Sequence, residues 1–123
     1  METAQTLLIL TNLPDEASAR TLASRLVDDR LAACVSIMAP CTSVYRWQGA
    51  IEETREVPLL IKSSAERYPA LETAIRANHP YELPEIVAVT IARGLPDYLK
   101  WVVAETLPIA PESPPACWSA CYS

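Results

Sequence analysis

The succession of periodicities along these 123 residues predicts an α+β domain of the order β-α-β-β-α-β with one helix added. Three observations carry that expectation. An apolar run at 6–11 gives way to an apolar repeat of three and four residues. Two long strand-like stretches meet at Gln48-Gly49. A second helical stretch then ends at a proline and is followed by another Val/Ile-rich run.

Residues 6–11 are rich in Leu and Ile and bounded by Asn12 and Pro14, which at that length suits a buried strand. Pro14, Asp15 and Glu16 make a good first helical turn. Ala19, Leu22, Ala23, Leu26 and Val27 then repeat on one face as far as Arg30. Residues 33–47 read as a strand interrupted at Pro40, and residues 51–63 as another, with Gly49 supplying the positive φ of a tight turn between them. At about 3.3 Å per residue each arm of this hairpin runs on the order of 45 Å, more than the roughly 35 Å diameter of a compact chain of this length. The hairpin must therefore bend at Pro40 or overhang the core, carrying Val44, Tyr45, Trp47 and Ile51 outward. A second helix is predicted over 64–78, with Leu71, Ala74 and Ile75 as its apolar stripe, stopped by Pro80. Residues 85–91 form the next strand, Gly94 breaks it, and 96–107 form a third helix with Leu99, Val102 and Val103 on its apolar side. Residues 1–107 make one domain. Residues 108–123, with four prolines and no periodicity, read as an extended or disordered tail.

This is the split βαβ order of ferredoxin-like sandwiches, here with a long hairpin between the second and third strands and an extra C-terminal helix. Right-handed crossovers put the first two helices on one face of an antiparallel sheet. The strands are nonetheless apolar on both faces, as in Leu7-Leu8-Ile9-Leu10, Leu59-Leu60-Ile61 and Ile86-Val87-Ala88-Val89. Something must cover the helix-free face, and another copy of the chain in closed cyclic symmetry is the economical solution.

Composition narrows the function. Ten basic and fifteen acidic residues give a net charge of −5, and no two basic residues are adjacent. Nucleic acid and anionic membrane are therefore poor partners, since phosphate binding depends on concentrated positive charge. The N-terminal residues have neither a basic leader nor a long apolar run, so a signal peptide and a membrane span are not expected and the cytoplasm is the default location. Cys34, Cys41, Cys117 and Cys121 match neither zinc nor C-x-x-C redox spacing. Cys34 reads as a buried small hydrophobe. The C-x3-C pair Cys117 and Cys121 is either part of a dispensable extension or, on one helical turn, two thiolates for a soft metal.

The single histidine falls in His79-Pro80-Tyr81-Glu82-Leu83-Pro84-Glu85, where two prolines stiffen the connector that presents it. Pro80 here either simply ends the preceding helix, with His79 as a C-terminal dipole partner, or frames a site.

With the elements placed, the motifs Pro14-Asp15-Glu16-Ala17, Leu31-Ala32-Ala33-Cys34-Val35, Thr42-Ser43-Val44-Tyr45-Arg46-Trp47-Gln48-Gly49 and His79-Pro80-Tyr81-Glu82-Leu83-Pro84-Glu85-Ile86 closely resemble the CutA family of divalent-cation tolerance proteins, in register from about Leu7 to Leu107. The resemblance implies an interlocked homotrimer of ferredoxin-like subunits, similar to the PII signalling proteins, and a link to copper and other divalent ions. The ligands proposed in that family are a cysteine ending the first strand and one or two histidines opening the His-Pro-Tyr motif. In this chain Thr11 and Asn78 stand at two of those positions. His79, with Glu82 or Glu85, remains as the metal candidate, for copper or another divalent cation.

Two functions follow as expectations. One is a divalent metal ion bound at His79, Glu82 and Glu85. The other is a PII-like regulatory or scaffolding trimer whose inter-subunit clefts, lined by Tyr45, Trp47, Lys62, Tyr81, Glu82 and Trp101, accept a small molecule or a partner protein, Lys62 being the cation available to pair an anion. Tyr45 and Trp47 equally suit sealing an interface between copies. Catalysis is not expected, because no nucleophile is paired with His79 by sequence and the carboxylates lack a companion to tune them.

Overall fold

The computed structural model describes residues 5–108. In chain order the elements are β1 (Thr6–Leu13), α1 (Glu16–Asp28), β2 (Cys34–Ile37), β3 (Cys41–Trp47), β4 (Ala50–Ser64), α2 (Tyr68–Asn78), β5 (Val87–Thr90) and α3 (Pro96–Glu105). The sheet is antiparallel, in the order β2-β4-β1-β5, with β3 pairing β4 beyond β2. The predicted α+β class and order hold. The second strand is in fact two, because the backbone turns away between Ile37 and Cys41 around Pro40, and both pieces pair with the unbroken 15-residue β4.

Local chemistry sets the boundaries. Asp15 is the N-cap of α1, its carboxylate accepting the Ser18 N–H at 2.7 Å. That bond to an anion holds the Asp15 carboxyl below its ordinary range. After α1, Arg30 takes a left-handed φ of 59°, so that Leu31 N–H reaches back to the Leu26 carbonyl at 2.9 Å. Its guanidinium then donates to the carbonyls of Ala104 and Leu107, tying the end of α3 to the end of α1. The hairpin turn places Gln48 and Gly49 at φ 49° and 84°, two consecutive positive values as a type I′ turn requires. A Cβ at Gly94 would stand 2.9 Å from the end of the Leu99 side chain, which would have to shift to admit it.

Several boundaries differ from the sequence reading: β1 runs two residues further, to Leu13, and α1 ends two residues earlier, at Asp28. The second helix begins at Tyr68 instead of 64, because Ser64 still pairs with Thr6 and the Ala65 N–H donates to the Gln5 carbonyl. The last strand shortens to Val87–Thr90, paired with Leu10 to Leu7 of β1, although the Ile91 N–H still donates to the Thr6 carbonyl. The third helix ends at Glu105. Cys117, Cys121 and all of the predicted tail except Pro108 lie outside the described residues.

The core lies between one sheet face and helices α1 and α2, with Ile9, Leu13, Leu22, Leu26, Leu59, Ile61, Leu71 and Ile75 at its centre. Each such side chain contributes roughly 1.5–3 kcal/mol when removed from water. The second face is partly covered by α3, where the Thr106 hydroxyl meets Ser64 Oγ at 3.3 Å and both residues are buried. The rest of that face leaves Val87 and Val89 exposed and Leu8, Leu10 and Leu60 half-buried. Part of the face for which another copy was the economical cover is thus taken by α3, at one end.

Candidate functional site

Beyond the core, β3 and the first half of β4 project as a two-stranded arm. Cross-strand partners share a face, so the pairs Cys41–Glu56, Ser43–Thr54 and Tyr45–Glu52 line one side of it. Opposite that side runs the stiff connector from His79 to Glu85. Between arm and connector lies a cleft of about 780 Å³, walled by Tyr45, Trp47 and Tyr81 and carrying the carboxylates of Glu56, Glu82 and Glu85. Neither Lys nor Arg contributes to its lining.

His79 anchors the connector. It is the C-cap of α2 in extended backbone, as the following proline dictates. Its Nδ1 accepts the Tyr81 N–H at 3.1 Å, which leaves the ring proton on Nε2 to be donated to the Asn12 carbonyl at 2.6 Å. Burial lowers the pKa of His79, against smaller opposing effects of the Asn12 bond and the Glu56 charge. The imidazole is therefore a neutral bracket between the connector and the end of β1. Asn12 also donates to Glu85 Oε1 at 3.2 Å, which fixes the far end of the connector. Burial raises the Tyr81 phenol to about 12, with Glu56 adding to the shift. Glu56 faces this hydroxyl, but the geometry does not complete a hydrogen bond and the oxygen is buried without a partner. Tyr45 is held by its hydroxyl, 2.9 Å from Thr54 Oγ1.

Of the residues expected to form a cleft, Tyr45, Trp47, Tyr81 and Glu82 come together within one chain, while Lys62 and Trp101 stand elsewhere. Lys62 lies opposite Cys34 in the ladder, its Nζ 3.8 Å from Cys34 Sγ and 6.0 Å from the centre of the Tyr98 ring. Trp101 packs against Tyr98 with ring centres 5.6 Å apart. Cys34 is thus half-buried in polar company, 3.6 Å from the Tyr98 hydroxyl, and not the enclosed hydrophobe that its apolar flanks suggested. Asn78 is committed to the scaffold, accepting from Arg25 at 2.8 Å and donating to the Ala74 carbonyl. Thr11 is fully buried, its hydroxyl without a partner. The sequence reading missed Glu56 and Asn12. The available signal for Glu56 was a carboxylate at the point where the strand turns apolar, directly before Val57.

Copper favours imidazole and thiolate donors, yet both His79 nitrogens are engaged, and among the described residues no three His, Cys, Asp or Glu side chains are grouped to share an ion. An imidazole-centred copper site does not fit this arrangement unless a hydrogen bond of His79 is given up. Glu82 and Glu85 offer oxygen donors at the cleft, the kind that harder divalent cations accept.

Taken together these features describe an α+β sandwich with an outstretched hairpin and an acidic, aromatic cleft at its base. Residues 7–105 match the family model described as CutA1 divalent ion tolerance protein. A divalent-cation tolerance protein CutA of Thermus thermophilus is 46% identical over 99 residues, covering 80% of this chain and 96% of its own length. A solved structure of a divalent cation tolerance protein (Cut A1) from the same organism superposes with a TM-score of 0.81 at 46% identity, covering 82% of this chain and 98% of that one. A structure described as the periplasmic divalent cation tolerance protein CutA from Archaeoglobus fulgidus gives a TM-score of 0.76 at 34% identity, covering 79% and 94%. The chain belongs to the CutA1 divalent ion tolerance family.

Proposed function

We propose that this chain takes part in the response to divalent metal ions as a homotrimer, PII-like in architecture, and that it binds copper or another divalent cation at the connector through Glu82 and Glu85. The observation that carries this reading is the charge of the cleft: three carboxylates and no basic side chain in its lining. Such a site concentrates cations and repels anions. His79 joins the ligand set only by surrendering one of its two hydrogen bonds. A bond of that kind is worth about 0.5–1.5 kcal/mol, so recruiting the ring offsets up to about tenfold of the affinity it would add. The trimer is supported by the exposed apolar residues of the arm, Val44 and Ile51, and by the open strip at Val87 and Val89. The role is binding and not catalysis, and its location is the cytoplasm. Among the described residues no helix is long and apolar enough to cross a membrane.

Calorimetric titration of Cu²⁺ and Mn²⁺ into the reduced protein tests the metal site. Binding is expected to weaken at least tenfold in Glu82→Gln/Glu85→Gln and to change less in His79→Ala. Equal binding by native protein and the double variant would sink the assignment. A second reading, a small-molecule or partner site in the same cleft, is favoured by the Tyr45, Trp47 and Tyr81 walls, which exceed anything a bare ion needs.

A further inference from the structure

Glu56 is unused by a metal held at the connector. Its side chain is only 8% exposed, yet it lines the cleft. The sole ion pair among the described residues is Arg20–Glu16, on the surface of α1, so no counter-charge accompanies Glu56. The groups that feel its charge are the Tyr81 phenol and the neutral His79 ring. A buried carboxylate with no cation beside it is costly unless something fills the gap. The hydroxyl of Tyr81, which faces Glu56, is buried without a completed hydrogen bond in the same wall.

The surroundings restrict what can fill it. Anions are repelled by three carboxylates. At Glu56 itself a bare divalent ion would lack the several close oxygens it needs, since no group of three acidic, His or Cys side chains gathers among the described residues. The two carboxylates of the connector are spoken for by the metal reading. The rings of Tyr45, Trp47 and Tyr81 present electron-rich faces and apolar area, which attract a cation that also carries carbon. The volume, about 780 Å³, is that of a small-molecule site. We propose that the inner cleft binds a small organic ammonium ion, its charge paired with Glu56 and its alkyl groups lying against Tyr45 and Trp47. This deepens the small-molecule reading of the cleft and does not depend on the metal reading.

The experiment uses the full chain in its native oligomeric state. Choline chloride and tetramethylammonium chloride are titrated by calorimetry at constant ionic strength, with sodium chloride as the blank. Glu56→Gln, Trp47→Leu and, as a charge control outside the cleft lining, Glu66→Gln are compared after circular dichroism and light scattering have confirmed fold and mass. Choline is expected to bind, with affinity at least tenfold weaker in Glu56→Gln and in Trp47→Leu but within twofold of native in Glu66→Gln. Cu²⁺ titrated into the same variants separates the two readings, since Glu56 is not a ligand of a metal held by Glu82 and Glu85 and Glu56→Gln should weaken Cu²⁺ binding far less than choline binding. No binding of either ammonium ion by the native protein, or binding that Glu56→Gln leaves unchanged, overturns the proposal whatever the metal does.

Discussion

The two halves of β4 share one continuous strand and almost nothing else. From Val57 to Ser64 the strand lies under α1 and α2, and Val57, Leu59, Ile61 and Ser63 are buried at every second position. From Ala50 to Arg55 it is paired only with β3, and Ile51 is 70% exposed. Backbone pairing keeps the strand continuous through both settings, whereas side-chain burial acts in one. Stability is therefore concentrated in the inner half, and the outer half is free to present the walls of a cleft. Glu56 stands at the junction, which explains how a carboxylate comes to be both enclosed and ligand-facing.

The largest expected effect tests that division directly. Ile61→Ala should cost about 2–5 kcal/mol in denaturant unfolding, as a fully buried aliphatic does when truncated, while Ile51→Ala should stay within about 0.5 kcal/mol. Were Ile51→Ala to cost as much, with a midpoint that depends on protein concentration, the arm would be buried by another copy and the contrast would hold only for the isolated chain.

A smaller effect sharpens the inner half. Thr11 points an unpartnered hydroxyl into a fully enclosed position, and replacing it with the nearly isosteric Val should stabilise the fold by about 1 kcal/mol. Loss of stability on Thr11→Val would mean that the hydroxyl has a partner after all.

The smallest concerns the joint between the connector and β1. His79 has a folded pKa below its ordinary value of 6.5, so the unfolded chain takes up the proton first. The contribution of the neutral ring is fully present above 6.5 and is lost as pH falls through the lowered value. The thermal midpoint should decline over that window, and His79→Gln should flatten the decline; an unchanged slope in the variant would remove the neutral bracket from the account.

Much of this architecture was legible in the residues. The period change after Thr11, the break at Pro40 and the Gln48-Gly49 turn located β1, α1 and the hairpin because each is a local signal. The start of α2 was not, because Ser64 and Ala65 are held in the sheet by Thr6 and Gln5, partners far away along the chain. The cleft was legible only in part. Tyr45, Trp47, Tyr81 and Glu82, read from the sequence as lining a cleft between subunits, meet here within one chain, and alternation along β4 points Lys62 to the face opposite Ile61, beside Cys34 and α3. The state of the His79 ring depends on a carbonyl from β1 and has no trace in the sequence around it.

The outer edge of β3 has a further consequence. Within the described residues β3 pairs with β4 alone, so one row of its amide and carbonyl groups faces outward over seven residues. That stretch, Cys-Thr-Ser-Val-Tyr-Arg-Trp, contains no proline and one charge, few of the devices by which sheet edges are ordinarily blunted. A bare edge of this kind templates the addition of further strands, and short segments of high β-propensity and low charge do so most readily. For this protein, remaining in solution is thus a matter of what occupies the side of β3, as much as of how well the core is packed.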